Sequence, residues 1–139
     1  MTGTALTEGE EFEKIYDLSD MGRIVERFFS ASENTKFFSL PEHSRRKTFF
    51  KCWTRKEALL KAIGVGLSFP LDMFDVLSDD DNAAQVSITT RHQNGENEWT
   101  LRDIDTFEGF ASALALEGKS ADCSARLRYF KFDDEIIIR

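Results

Sequence analysis

The chain has 139 residues, a formal charge of −7 at neutral pH, and 41% hydrophobic against 31% charged residues. One domain is expected at this length, large enough to bury roughly 68% of its unfolded surface, and such a balance excludes a disordered polymer. The acidity excludes a non-specific nucleic-acid binder, which needs a basic face to displace phosphate counterions, so any polyanion site must be local and basic.

No apolar run reaches the roughly 18 residues of a membrane span, and the acidic start does not resemble a signal peptide. Met1 to Glu10 is small, polar and without periodicity. It is expected as a loop, with residues 1–8 a flexible N-terminus ahead of a single domain over 9–139. Ser19 is positioned to cap a helix running to about Phe28, with Met21, Ile24, Val25 and Phe28 on one face. Ser30-Ala31-Ser32-Glu33 is a capping-box pattern opening a second short helix to about Phe38. Ser39-Leu40-Pro41-Glu42 repeats the pattern and opens the longest helix, from Leu40 to about Ile63, with Gly64 as its stop.

Strands are expected from there on. Leu71 to Leu77 follows a Pro, Gln85 to Thr89 alternates cleanly, and Asn94-Gly95 is a turn before Glu98 to Ile104. Phe110 to Leu116 places Phe110, Leu114 and Leu116 on one face and Ala111, Ala113 and Ala115 on the other, where a helix can approach closely. Arg126 to Phe132 reads as a last strand. Asp79-Asp80-Asp81 reads as a solvated loop, since it lacks any further ligand pattern. Helices first and antiparallel strands afterwards give an α+β fold. With 13 Phe against two Trp and two Tyr, the core is expected to be rich in rings that demand no hydrogen bond. Cys52 and Cys123 form no CxxC pattern, and with two His they do not complete a zinc set. They read as buried or idle thiols in a reducing cytoplasm.

Helical spacing puts Trp53, Glu57 and Lys61 along one stripe of the long helix, while Lys56 lies about 100° round on an adjoining face. By spacing alone this is an ordinary amphipathic helix with a weak Glu-Lys pair. The full string Trp53-Thr54-Arg55-Lys56-Glu57-Ala58-Leu59-Leu60-Lys61, with Gly64, Gly66 and Leu67 after it, says more. It resembles the W-[T/S]-x-K-E-[A/S]-x-x-K-x-x-G-x-G-L signature of the 4'-phosphopantetheinyl transferase superfamily. Arg27-Phe28-Phe29-Ser30 is similar to the family's R-F-F-[ST], and Ser68 to Val76 to the stretch after its glycines. Phe110 to Ala115 is similar to a late strand of the larger, Sfp-type branch. The likeness runs over roughly residues 9 to 132.

That resemblance implies the family's α+β fold, with an antiparallel sheet packed against one long and two short helices. It implies Mg²⁺-dependent transfer of 4'-phosphopantetheine from coenzyme A to a serine of an apo-carrier protein, releasing 3',5'-ADP. Glu57 is then a metal ligand and catalytic residue. Lys56 and Lys61 hold coenzyme A phosphates, with Lys61 also catalytic. A carboxylate or a metal-bound water takes the serine proton. The other metal ligands form a D-x-E motif upstream, which in ungapped register falls on Glu11 and Glu13. Here Glu11 stands where the family has Asp, and Glu10 where it has an apolar strand residue.

Sfp-type enzymes have two similar halves with the site between them, and this chain resembles the second half. The holo-acyl-carrier-protein synthases, of about this length, form trimers with shared sites. Three readings follow: a homo-oligomerising half, a half needing a separate N-terminal partner chain, or a truncated product with little activity. The alternative to an enzyme is a non-catalytic half-domain that retains coenzyme A or carrier-protein binding.

Overall fold

A computed structural model describes residues 2–8, 18–64, 68–77, 83–89, 96–104, 110–118, 129–132 and 135–138 of the chain. Strand β1 (Thr2–Glu8) is followed by helices α1 (Leu18–Phe28), α2 (Ala31–Ser39) and α3 (Glu42–Ile63), then a single 3₁₀ turn at Leu71–Met73. Strands β2 (Ala83–Thr89), β3 (Glu96–Asp103) and β4 (Phe110–Glu117) come next, with β5 (Tyr129–Phe132) and β6 (Glu135–Ile138) last. The first four strands form one antiparallel sheet in the order β1-β4-β3-β2, and β5 and β6 pair separately. Helix α3 lies across β1, β4 and β3. The architecture is the expected α+β.

Each helix has a local cause. In α1, Met21 and Val25 are buried at i and i+4, with Ile24 and Phe28 packed beside them on the core. Ser30 caps α2 with both halves of a capping box: its Oγ accepts from the Glu33 N–H at 3.2 Å, and the Glu33 carboxylate accepts from the Ser30 N–H at 2.9 Å. Asn34 then donates to the carbonyls of Val25, Phe29 and Ser30, tying α2 back onto the end of α1. Helix α3 ends at Gly64, whose φ of 78° is left-handed backbone that costs glycine nothing, and whose N–H closes on the Leu60 carbonyl.

The sheet face under α3 is set by alternation. Ala84, Val86 and Ile88 of β2 are buried while Gln85 and Ser87 are exposed. Ala113 and Ala115 of β4 belong to the core with the apolar residues of α3, so the row of small side chains lies where the long helix crosses, as expected. Phe29, Phe49 and Trp53 form a run of stacked rings, with centroids 5.7 and 6.2 Å apart.

Four expectations are corrected. The loop expected over Met1 to Glu10 contains β1, which runs along β4 from Thr2 opposite Leu116 to Glu8 opposite Phe110. Its residues carry no alternating apolar signal; the pairing comes from the strand beside it. The strand expected over Leu71 to Leu77 is a 3₁₀ turn and irregular backbone, because its polar groups bond to side chains from two helices rather than to another strand. Ser39 does not cap α3: its Oγ donates back to the Lys36 carbonyl, and α3 starts after Pro41 with no side-chain cap. Ser19 lies inside α1, which begins at Leu18. The expected last strand is seen from Tyr129, and its partner β6 was not anticipated. The expectations for Asp79-Asp80-Asp81, Asn94-Gly95 and Cys123 lie outside the described residues.

Candidate functional site

The middle of α3 carries six polar or charged side chains between residues 51 and 61, and burial sorts them into two groups. Arg55 and Lys56 are 1% and 0% exposed, whereas Glu57 is half-buried and Lys61 exposed. Burying a charge is costly unless it is paired and hydrogen-bonded, and each inward group is.

Arg55 reaches β3. Its Nε and Nη2 donate to the two carboxylate oxygens of Asp103 at 2.7 and 3.0 Å, and Nη1 donates to the Val76 carbonyl at 2.7 Å. Lys51 adds a longer contact to Asp103 at 3.5 Å. This planar fork suits guanidinium and would not be replaced by lysine.

Lys56 is enclosed completely. Its Nζ donates to the carbonyls of Leu71 and Phe74 at 2.5 and 2.9 Å and lies 2.8 Å from the Glu33 carboxylate. The Phe74 ring centroid lies 4.4 Å away. Glu33, also 0% exposed, accepts from the Val76 N–H at 2.6 Å through its other oxygen. Burial, and after it the neighbouring Glu33 carboxylate, pushes the Cys52 thiol well above its ordinary pKa, with Lys56 opposing in part. A thiol held neutral and enclosed is a packing group, not a nucleophile.

Trp53, Glu57 and Lys61 lie along the other side of the helix. Trp53 is half-buried, with its ring against Phe28 and stacked on Phe49. Neither Glu57 nor Lys61 has a hydrogen bond or ion pair among the described residues. One turn apart, they present a carboxylate and an ammonium on the open side of an anchored helix.

The sheet register locates this turn. Arg55 grips Asp103, Asp103 pairs with Ala113, and Ala113 pairs with Ala5 of β1. The exit of β1 at Glu8 is three residues beyond that line. Glu11 and Glu13 follow β1 in the chain and lie outside the described residues, as do Gly66 and Leu67. Among the described residues no group of three His, Cys, Asp or Glu is placed to hold a metal.

Two charged residues escaped the sequence reading. Glu33 was legible as the third residue of a capping box, but its pairing with Lys56 has no local signal. Asp103 stands 48 positions from Arg55, and nothing near either residue announces the contact.

The sequence profile of the 4'-phosphopantetheinyl transferase superfamily matches residues 9–115, and the chain belongs to that superfamily. Among curated relatives, it is 36% identical over 84 residues to the 4'-phosphopantetheinyl transferase ffp of Bacillus subtilis, covering 60% of this chain and 37% of that protein. It is 32% identical over 102 residues to 4'-phosphopantetheinyl transferase gsp of Aneurinibacillus migulanus, covering 73% and 40%. With 4'-phosphopantetheinyl transferase Sfp of Bacillus subtilis the figures are 32% over 69 residues, 50% and 31%. The matches thus span about two fifths or less of these relatives' lengths. A solved apo-ACPS structure from Chronobacterium ammoiniagenes superposes with a TM-score of 0.61 at 21% identity, covering 84% of this chain and 94% of that one. That likeness establishes the shared fold.

Proposed function

We propose that this chain is the site-bearing half of a transferase that moves 4'-phosphopantetheine from coenzyme A to a serine of an acyl or peptidyl carrier protein. The observation that carries the reading is the pair Glu57 and Lys61, one turn apart and unpartnered among the described residues, inside the family's signature. A phosphoryl-type transfer asks for positioning and charge stabilisation rather than for a covalent group on the protein. Lys61 supplies a positive point charge for a phosphate oxygen. Glu57 supplies a hard oxygen donor, the ligand type Mg²⁺ takes, with Glu11 and Glu13 as the proposed further ligands. A bound Mg²⁺ supplies charge neutralisation along the pyrophosphate and the departing 3',5'-ADP. The serine hydroxyl attacks the phosphorus that carries the pantetheine arm, its proton passes to a carboxylate or a water, and the bond to the 3',5'-ADP oxygen breaks.

The rigid inner side of α3 serves this chemistry by keeping the outer side in register. The expected location is the cytoplasm; no helix among the described residues is long and apolar enough to cross a membrane.

The test is to incubate the chain with Mg²⁺, coenzyme A and a panel of apo-carriers and to look for the mass gain of the phosphopantetheine arm. Transfer lost in Glu57→Ala and in Lys61→Ala supports the reading. No gain with any carrier overturns self-sufficient activity.

The coverage of the relatives, 37% and 40% for the first two, favours a second reading in which competence depends on a further copy or a separate N-terminal half. Coenzyme A then raises the melting temperature without turnover, and turnover appears only when the second component is added. Solution mass distinguishes a self-associating half from a monomer awaiting a partner.

A further inference from the structure

The signature lysine Lys56 is occupied. An ammonium has three hydrogens to donate, and here three acceptors take them: Leu71 O, Phe74 O and the Glu33 carboxylate. The residue is 0% exposed, so a phosphate oxygen has no approach to Nζ. Displacing either carbonyl to admit one would strand a buried polar group, and moving the ammonium would strand a buried carboxylate.

We propose that Lys56 and Glu33 form a positioning brace for Glu57, and that Lys56 does not bind phosphate. This rests on the transferase reading above and sharpens it. The two side chains join three parts of the fold. Glu33 holds the start of α2 through the Ser30 N–H and the irregular segment after Pro70 through the Val76 N–H. Lys56 holds that same segment through two carbonyls and anchors α3 to Glu33. Arg55 adds the Val76 carbonyl, so both backbone polar groups of Val76 are gripped, one from α2 and one from α3.

The consequence falls on the next residue. Successive helix positions differ by about 100°, so fixing Arg55 and Lys56 inward fixes the rotation of α3 about its axis. Glu57 is thereby turned to the half-buried side, and Lys61, one turn on, follows it. Residues 71–76 are held by Lys56, Glu33 and Arg55 without strand pairing, which is why the pattern over Leu71 to Leu77 does not form a strand.

The experiment compares Lys56→Met, Glu33→Gln, their combination and Glu57→Gln with the wild-type chain. Amide hydrogen exchange at Val76 reads the brace directly. Exchange is expected to accelerate about tenfold or more in both Lys56→Met and Glu33→Gln, and to stay at the wild-type rate in Glu57→Gln. Unchanged protection in Glu33→Gln, the near-isosteric variant, overturns the brace even where Lys56→Met fails to fold.

Calorimetric titration with 3',5'-ADP, with and without Mg²⁺, separates positioning from phosphate binding. Positioning predicts that Mg²⁺-free affinity stays within about twofold of wild type in both variants, and that the gain on adding Mg²⁺ shrinks in both. A direct phosphate ligand predicts a loss of about tenfold or more in Lys56→Met without Mg²⁺ and none in Glu33→Gln, where a negative charge has been removed. That second pattern overturns the proposal. If the wild-type chain neither binds 3',5'-ADP nor transfers, in the presence of its second component as well, the transferase reading fails. The exchange result then decides the brace by itself.

Discussion

Arg55 and Lys56 on one side of α3, and Glu57 and Lys61 on the other, are charged residues within two turns of one helix. They meet opposite fates. The inner pair is dry, paired and saturated with hydrogen bonds to α2, β3 and the segment after Pro70. The outer pair has no partner among the described residues. Charge alone therefore does not mark a site. The informative distinction is whether the fold already uses the charge, because a satisfied buried ion is structure and an unsatisfied accessible one is available to a ligand.

Substitutions that break this contrast rank by how much buried polarity they orphan. Lys56→Ala is expected to cost most, about 3–5 kcal/mol, because it leaves the Glu33 carboxylate enclosed without its cation. Urea unfolding measures this, and adding Glu33→Gln should return part of the loss. Arg55→Ala should follow at about 1.5–3 kcal/mol, since Asp103 remains 27% exposed and water can reach it. Gly64→Ala comes next, at about 1–2 kcal/mol, since the left-handed backbone there disfavours a Cβ although the space around it is open.

At the far end, Glu57→Ala and Lys61→Ala should each change stability by less than about 0.5 kcal/mol while removing transfer or Mg²⁺-dependent coenzyme A affinity. A large fall in melting temperature from either would erase the distinction between the two sides. A smaller check is chemical: Cys52, enclosed and with its thiol pKa raised, should resist alkylation at neutral pH until the chain is unfolded.

Much of the helical part was legible beforehand. The capping box at Ser30 and Glu33 and the stop at Gly64 depend on groups at most four residues apart, and both formed as read. The alternation of β2 and the alanine row of β4 were legible for the same reason, since a strand's period is local. Failures came where a long-range partner overrode a weak local pattern. Residues 71–77 were captured by Lys56 and Glu33, and β1 was recruited by β4 from a stretch with no signal of its own. The signature string singled out Lys56, Glu57 and Lys61 alike, but a string cannot say that Lys56 turns inward to a carboxylate 23 positions upstream.

The sequence by itself determined the superfamily, the α+β class and the helix that carries the signature, because these rest on residue identities in register and on short-range periodicity. Tertiary structure alone decided which of the signature's charges are spent on the fold and which remain open. That depends on distant groups brought within hydrogen-bond reach, and on how much water each side chain keeps once they arrive.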